Sequence, residues 1–140
     1  MKEGKPARVI VERLRRGEDV LERLNEIVLE NEVTAASFTA FGAVERAVVG
    51  FFVGNGQYST ISCDGPLEVL SCTGNVSLKE GKPSIHAHIA LADKDGRAYG
   101  GHVMAGCIVS ATFEVTVLVY EGIELDSKFD VGTGLFLLDT

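Results

Sequence analysis

All three histidines of the chain fall in one short stretch. His86 and His88 lie in Ile85-His86-Ala87-His88-Ile89, and His102 follows Gly100-Gly101. Imidazole titrates near neutrality and is a common ligand of divalent transition metals. Residues two apart on a strand point to the same face, so His86 and His88 share one. Between them and His102 lies Asp93-Lys94-Asp95-Gly96, whose Asp and Gly tolerate the positive φ of a tight reversal. A β-hairpin would therefore return His102 beside the other two. Three imidazoles converging on one point fill three corners of a tetrahedral zinc site and leave the fourth open. An ion so held lowers the pKa of bound water toward neutrality, which is the chemistry of metal-assisted hydrolysis. Zinc is the first expectation, although imidazole also suits copper, nickel and iron. The alternative is three structural histidines bonded to backbone carbonyls.

Other residues could serve this site. Paired glycines in a strand mark a bulge or a close approach by another backbone or a ligand. Gly100 and Gly101 are thus candidate cofactor-binding residues, expected to bulge the strand so that His102 reaches the common point. No catalytic residue is identified outright. Glu114, an acid inside an apolar strand, is the candidate second partner for a ligating histidine. Its alternative is a side chain turned to solvent or paired with an arginine; Glu68 is a lesser candidate. No serine or cysteine nucleophile motif and no Walker-type phosphate loop is present.

Around these residues the chain reads as one domain spanning residues 1–140, long enough to bury a core without staples. A net charge of -7 argues against a broad electrostatic footprint for nucleic acid. Arg13, Arg15 and Arg16 form the one basic cluster, read as a solvated turn. Cys63, Cys72 and Cys107 are odd in number and none sits in a Cys-x-x-Cys pair, so free, buried thiols in a reducing cytoplasm are expected. The polar start, Met1 to Pro6, lacks the apolar core of a signal peptide, and no run is long enough to span a membrane.

The element pattern is α+β, with a mostly antiparallel sheet and one flanking helix. Val20, Leu21, Leu24, Ile27 and Val28 make an apolar stripe at helical spacing. The helix spans about residues 18–31, with Glu18 and Asp19 at its start and a left-handed Asn31 at its end. Strands are expected over Ala7–Leu14, Thr34–Phe41, Val44–Val53, Gln57–Cys63, Leu67–Leu78 and Val109–Tyr120, besides the histidine hairpin. Gly42 and Gly74 read as interruptions. Gly54-Asn55-Gly56 and Asp64-Gly65-Pro66 read as turns. Phe129 is the expected anchor of the polar segment 121–130. Leu135-Phe136-Leu137-Leu138 is expected to be buried in the sheet or against another subunit.

The order of several short motifs resembles the PPC (plants and prokaryotes conserved) domain over nearly the whole chain. They are Arg16-Gly17-Glu18-Asp19-Val20, Phe41-Gly42-Ala43-Val44, and Gly65 through Asn75. The most specific part is His86-Ala87-His88-Ile89-Ala90-Leu91-Ala92, then Asp95-Gly96, then Gly100-Gly101-His102; Ala111-Thr112-Phe113-Glu114-Val115 closes the pattern. The resemblance implies an antiparallel sheet with a flanking helix and a homotrimer. Plant members are nuclear regulators that carry AT-hooks beside this domain, and the Arg-Gly-Arg core of that motif is missing here. They also carry a six-residue Gly-Arg-Phe segment for partner recruitment. The matching residues here are Gly65 to Leu70, with Pro66 and Leu67 in place of Arg and Phe.

Three functions compete on this reading. The leading one is a homotrimer with a metal site that binds a small ligand or performs hydrolysis. The others are a DNA-associated regulatory oligomer, with nucleic-acid contact weak or indirect, and an interaction scaffold with structural histidines.

Overall fold

A computed structural model describes residues 1–140. Its elements are β1 (Lys5–Arg15), α1 (Val20–Glu30), β2 (Ala36–Gly54), β3 (Gln57–Lys79), β4 (Lys82–Ala92), β5 (Ala98–Val103), β6 (Ile108–Glu121), β7 (Asp126–Asp130) and β8 (Leu135–Asp139). The strands form one sheet in the order β1-β6-β2-β5-β4-β3-β7-β8, and a further β2–β3 pairing closes its middle into a barrel. All ladders are antiparallel except the short β3–β7 pairing. The expected α+β class, with a mostly antiparallel sheet, is what the chain adopts.

Strand alternation builds the core. On β6, Phe113, Val115, Val117 and Val119 point inward, while the residues between them face out. Val69, Ala87, Ile89 and Leu91 supply the same inward face on β3 and β4. The stripe Val20, Leu24, Ile27 and Val28 buries α1 against this cluster. Asp19 caps the helix, its carboxylate accepting from the Leu21 and Glu22 amides at 2.9 and 3.2 Å. The left-handed residue after the helix is Glu32, at φ 52°, and not Asn31, whose φ is -104°. Asn31 instead turns its amide back to donate to the Ile27 carbonyl at 2.9 Å.

Several expected breaks are continuous strand. β2 runs through Gly42, where its registers with β3 and β6 shift, so the glycine marks a bulge. β3 runs through Asp64-Gly65-Pro66, where a turn was expected, and through Gly74. Gly74 is paired on both sides, with Phe38 and Ala87, whereas Asp64-Gly65-Pro66 is held by β2 alone, through Asp64 and Leu67, across a register shift in which Gly65 and Pro66 face the single residue Glu45. The Asn55-Gly56 turn does form, with φ 50° and 69°, as a two-residue hairpin requires.

Cys72 and Cys107 are buried, Cys63 is partly so, and all three are free thiols. Burial, with Cys107 adding, pushes the Cys72 thiol up to about 12, so it behaves as a small apolar residue. The tail folds back as the β7–β8 hairpin. Leu125 is buried there, whereas the expected anchor Phe129 is exposed and stacks edge-on with Phe136 at 5.6 Å. Leu135 and Phe136 are half-buried; Leu137 and Leu138 stay exposed. No helix is long and apolar enough to cross a membrane.

Candidate metal centre

The histidine hairpin is β4 and β5. Its turn is fixed by Asp93, whose carboxylate accepts from the Asp95 and Arg97 amides at 2.9 Å each and from the Tyr99 hydroxyl at 2.7 Å. These bonds hold the Asp93 carboxyl below its usual range, with Tyr99 the largest cause. The ladder then sets His88 directly opposite His102, while His86 lies opposite Asn75 on β3. Because Ala87, Ile89 and Val103 point into the core, all three imidazoles stand on the outer face of the barrel.

The rings meet there. Their centroids are 5.1 Å apart for His86–His88, 5.1 Å for His86–His102 and 5.7 Å for His88–His102. One ring nitrogen from each lies within 4.8 Å of the others, and no carboxylate or thiol joins the group. His86 and His88 are exposed by surface area and His102 is half-buried. Enough protein still surrounds His86 that desolvation lowers its pKa, with His88 adding. Desolvation lowers His102 likewise, followed by the charges of His86 and His88. Both shifts favour the neutral imidazole, the form that donates to a metal.

Does this donor set fit an ion? Nδ1 of His102 is buried and has no hydrogen-bond partner. A buried polar nitrogen left unpaired is costly, and such an atom calls for a missing partner. Structural histidines bonded to carbonyls, the competing reading, would not leave it so. A neutral three-imidazole set suits zinc, copper, nickel or iron, and the fit is good.

Of the two roles expected for the paired glycines, the bulge that would carry His102 to the common point does not form. The β4–β5 register runs without a shift through Ile89–Gly101 and Ala90–Gly100, so there is no bulge. Close approach is the reason for glycine: a Cβ on Gly100 would lie 2.6 Å from the Ile89 carbonyl oxygen, and one on Gly101 2.8 Å from that of Gly50. Glu114 is not brought to the histidines. It sits on the solvent side of β6, opposite Arg13 and Phe41, and accepts from the Thr112 hydroxyl at 3.4 Å. The period of two that buries Phe113 and Val115 turns Glu114 outward, so water meets the need for a partner inferred from the sequence. Glu68 is likewise exposed, in register with Ala43 and Ala92.

The sequence reading missed Tyr58 and Gly50. The Tyr58 ring lies 4.9 Å from that of His102, and Gly50 is the register partner of His102 on β2. A Cβ on Gly50 would come within 3.0 Å of the Tyr58 ring, so the missing side chain leaves that ring its place. A glycine inside the apolar run Val48–Val53 was the available signal. Three cavities border the cluster, the smallest of them, about 210 Å³, lying over Thr73, Asn75, His86 and His88; the other two are larger. One, of about 490 Å³, is walled by Phe52, Tyr58, Gly100, Gly101 and Leu135; the other, of about 400 Å³, runs under the β7–β8 hairpin.

Known proteins share this arrangement of chain. A solved structure of a metal-containing protein from Archaeoglobus fulgidus is 36% identical, covers 100% of this chain and 99% of its own, and superposes with a TM-score of 0.90. A plant- and prokaryote-conserved (PPC) protein from Pyrococcus horikoshii is 26% identical over 96% of this chain and 94% of its own, with a TM-score of 0.87. A candidate DNA-binding protein from Ralstonia eutropha JMP134 is 31% identical over 93% and 90%, with a TM-score of 0.84. Among curated proteins, a bifunctional protein GlmU from Synechococcus sp. (strain JA-3-3Ab) is 27% identical over 111 residues. Those residues are 79% of this chain and only 17% of that protein, so the chain spans about a sixth of the curated relatives it matches. The profile of the Plants and Prokaryotes Conserved (PCC) domain matches residues 1–121. The chain belongs to the Plants and Prokaryotes Conserved domain family, under either abbreviation.

Proposed function

We propose that the protein is a metal-binding member of this family that holds one divalent ion per chain, zinc first, on His86, His88 and His102. The observation that carries the reading is the convergence of three ring nitrogens within 4.8 Å, on a cluster that contains an unpartnered buried nitrogen. The similar Archaeoglobus fulgidus protein, described as metal-containing, supports it. Bound there, the ion would supply Lewis acidity toward an oxygen ligand. The chain's own residues do the rest. The β4–β5 ladder fixes His88 against His102, desolvation favours the neutral form of His86 and His102, and Tyr58, Phe52 and Leu135 line the cavity beside them. No general base lies among the ligands, so the proposal is binding of a small oxygen-donor molecule and assigns no reaction. Elemental analysis of untagged protein, loaded with zinc and desalted, tests it. One ion per chain is expected, and none would return the histidines to a structural role.

We also infer assembly as a homotrimer in a reducing, cytoplasmic setting. Free thiols support the setting. Outward-facing Val9, Val11 and Phe41 on the β1-β6-β2 face, with Leu137 and Leu138 at the tail, offer apolar surface for subunit contacts.

A further inference from the structure

The strand register extends the histidine cluster into a track. His88 faces Thr73, His86 faces Asn75, Ser84 faces Ser77, and Lys82 faces Lys79. Residues two apart share a face, so these four pairs line one outer surface of β3 and β4. The track leads from the imidazoles, through amide and hydroxyl groups, to two lysines at the hairpin end. Lys82 lies four strand steps from His86, about 13 Å at ordinary rise.

The β7–β8 hairpin roofs this track. Ser127 on β7 hydrogen-bonds the buried Ser77 hydroxyl at 2.8 Å, and Leu135 to Leu138 on β8 form an apolar wall. The half-open cavity beneath the hairpin, of about 400 Å³, reaches from His86 and His102 to Lys79, with Lys82 just outside its lining. Its roof lies beyond residue 121, where the family match ends. Two features at the far end stand out. Lys79 and Lys82 are directly opposed like charges, an unfavourable cross-strand pair, and neither belongs to the chain's ion pairs. The Lys79 ammonium instead rests over the Phe136 ring, 4.1 Å from its centroid, which holds it at the cavity mouth.

We propose that this cavity takes an elongated acidic small molecule. Its oxygen-donor head binds the histidine-held ion. Its body lies between the Asn75 and Ser84 side chains and the apolar wall of β8. Its carboxylate or phosphate end neutralises Lys79 and Lys82. This ligand class rests on the metal reading above, and the test separates the two.

The probe is an ω-carboxyalkyl hydroxamate whose chain spans that ~13 Å. It is compared with its terminal amide, which is equal in length and uncharged. Zinc content of the full-length protein is measured first, and both probes are then titrated by calorimetry. The acid is expected to bind about tenfold more tightly than the amide, an advantage that falls with salt. Lys79→Met with Lys82→Met should abolish the preference while leaving zinc content and amide binding unchanged; both lysines are exposed, so folding is not at stake. A zinc-loaded chain that binds acid and amide alike, or a double variant that keeps the preference, overturns the ligand class alone. A chain that takes up no zinc overturns the metal reading and the ligand class with it.

Discussion

Gly101→Ala is the sharpest perturbation of the histidine hairpin that leaves every proposed ligand in place. The added Cβ would lie 2.8 Å from the Gly50 carbonyl oxygen and 3.1 Å from Val49 Cβ. Ordinary contact begins at 3.4 Å, so β5 must move away from β2 by about 0.6 Å. The obstacle is backbone on one side and a buried valine on the other, and neither can swing aside. Overpacking of this kind costs roughly 1–3 kcal/mol. At about 3 °C per kcal/mol for a domain of this size, the Tm of metal-free protein should fall by about 3–9 °C. His102 is the next residue, and a constellation of ligands must be held to within about 0.5 Å of its working geometry. The required shift exceeds that tolerance, so zinc affinity should drop about 10- to 100-fold, as when the support of a ligand is removed. Gly96→Ala is the control. It has open space around its Cβ but a φ of 77°, so it should cost stability through strain while leaving zinc affinity unchanged. Thermal melts with chelator and competitive zinc titration read the two effects separately. If Gly101→Ala keeps both Tm and affinity, or if Gly96→Ala weakens zinc equally, the close-approach argument is wrong.

His86→Ala, His88→Ala and His102→Ala should each abolish stoichiometric zinc binding in equilibrium dialysis. Acidification below about pH 6.5 should release the ion from the wild type as protons compete for the imidazoles. Metal-free protein should also melt lower as pH falls through that range. Folding lowers the pKa of His86 and His102, so the unfolded chain binds more protons there; a flat Tm between pH 7.5 and 5.5 would contradict this. Light scattering on dilute protein should give about three times the 15.0 kDa chain mass, and a clean monomer would remove the trimer. Anisotropy titration with duplex DNA should show only weak, salt-sensitive binding, given the net charge of -7; submicromolar, sequence-dependent binding would restore the regulatory reading.

The sequence alone was enough for the features that depend on local period and local turns. Spacing of two placed His86 and His88 on one face, and the Asp93–Gly96 reversal returned His102 to them. The apolar stripe and Asp19 defined the helix, and Asn55-Gly56 defined its hairpin. These are short-range consequences of side-chain direction and backbone φ, which a few neighbouring residues set. Tertiary structure decided the rest. Gly100 and Gly101 are glycines because the hairpin partner β4 crowds the first and β2, distant in sequence, crowds the second, and no local pattern separates that from a bulge. Glu114 is solvated because barrel closure makes its face the outer one. Asp64-Gly65-Pro66 stays in strand because β2 already pairs on either side of it. The polar track to Lys79 and the β8 roof above it arise only from register and from the path of the tail. The track is set by the register of the tight β3–β4 hairpin, whereas the roof is a long-range pairing whose free energy comes from partners the local sequence does not contain.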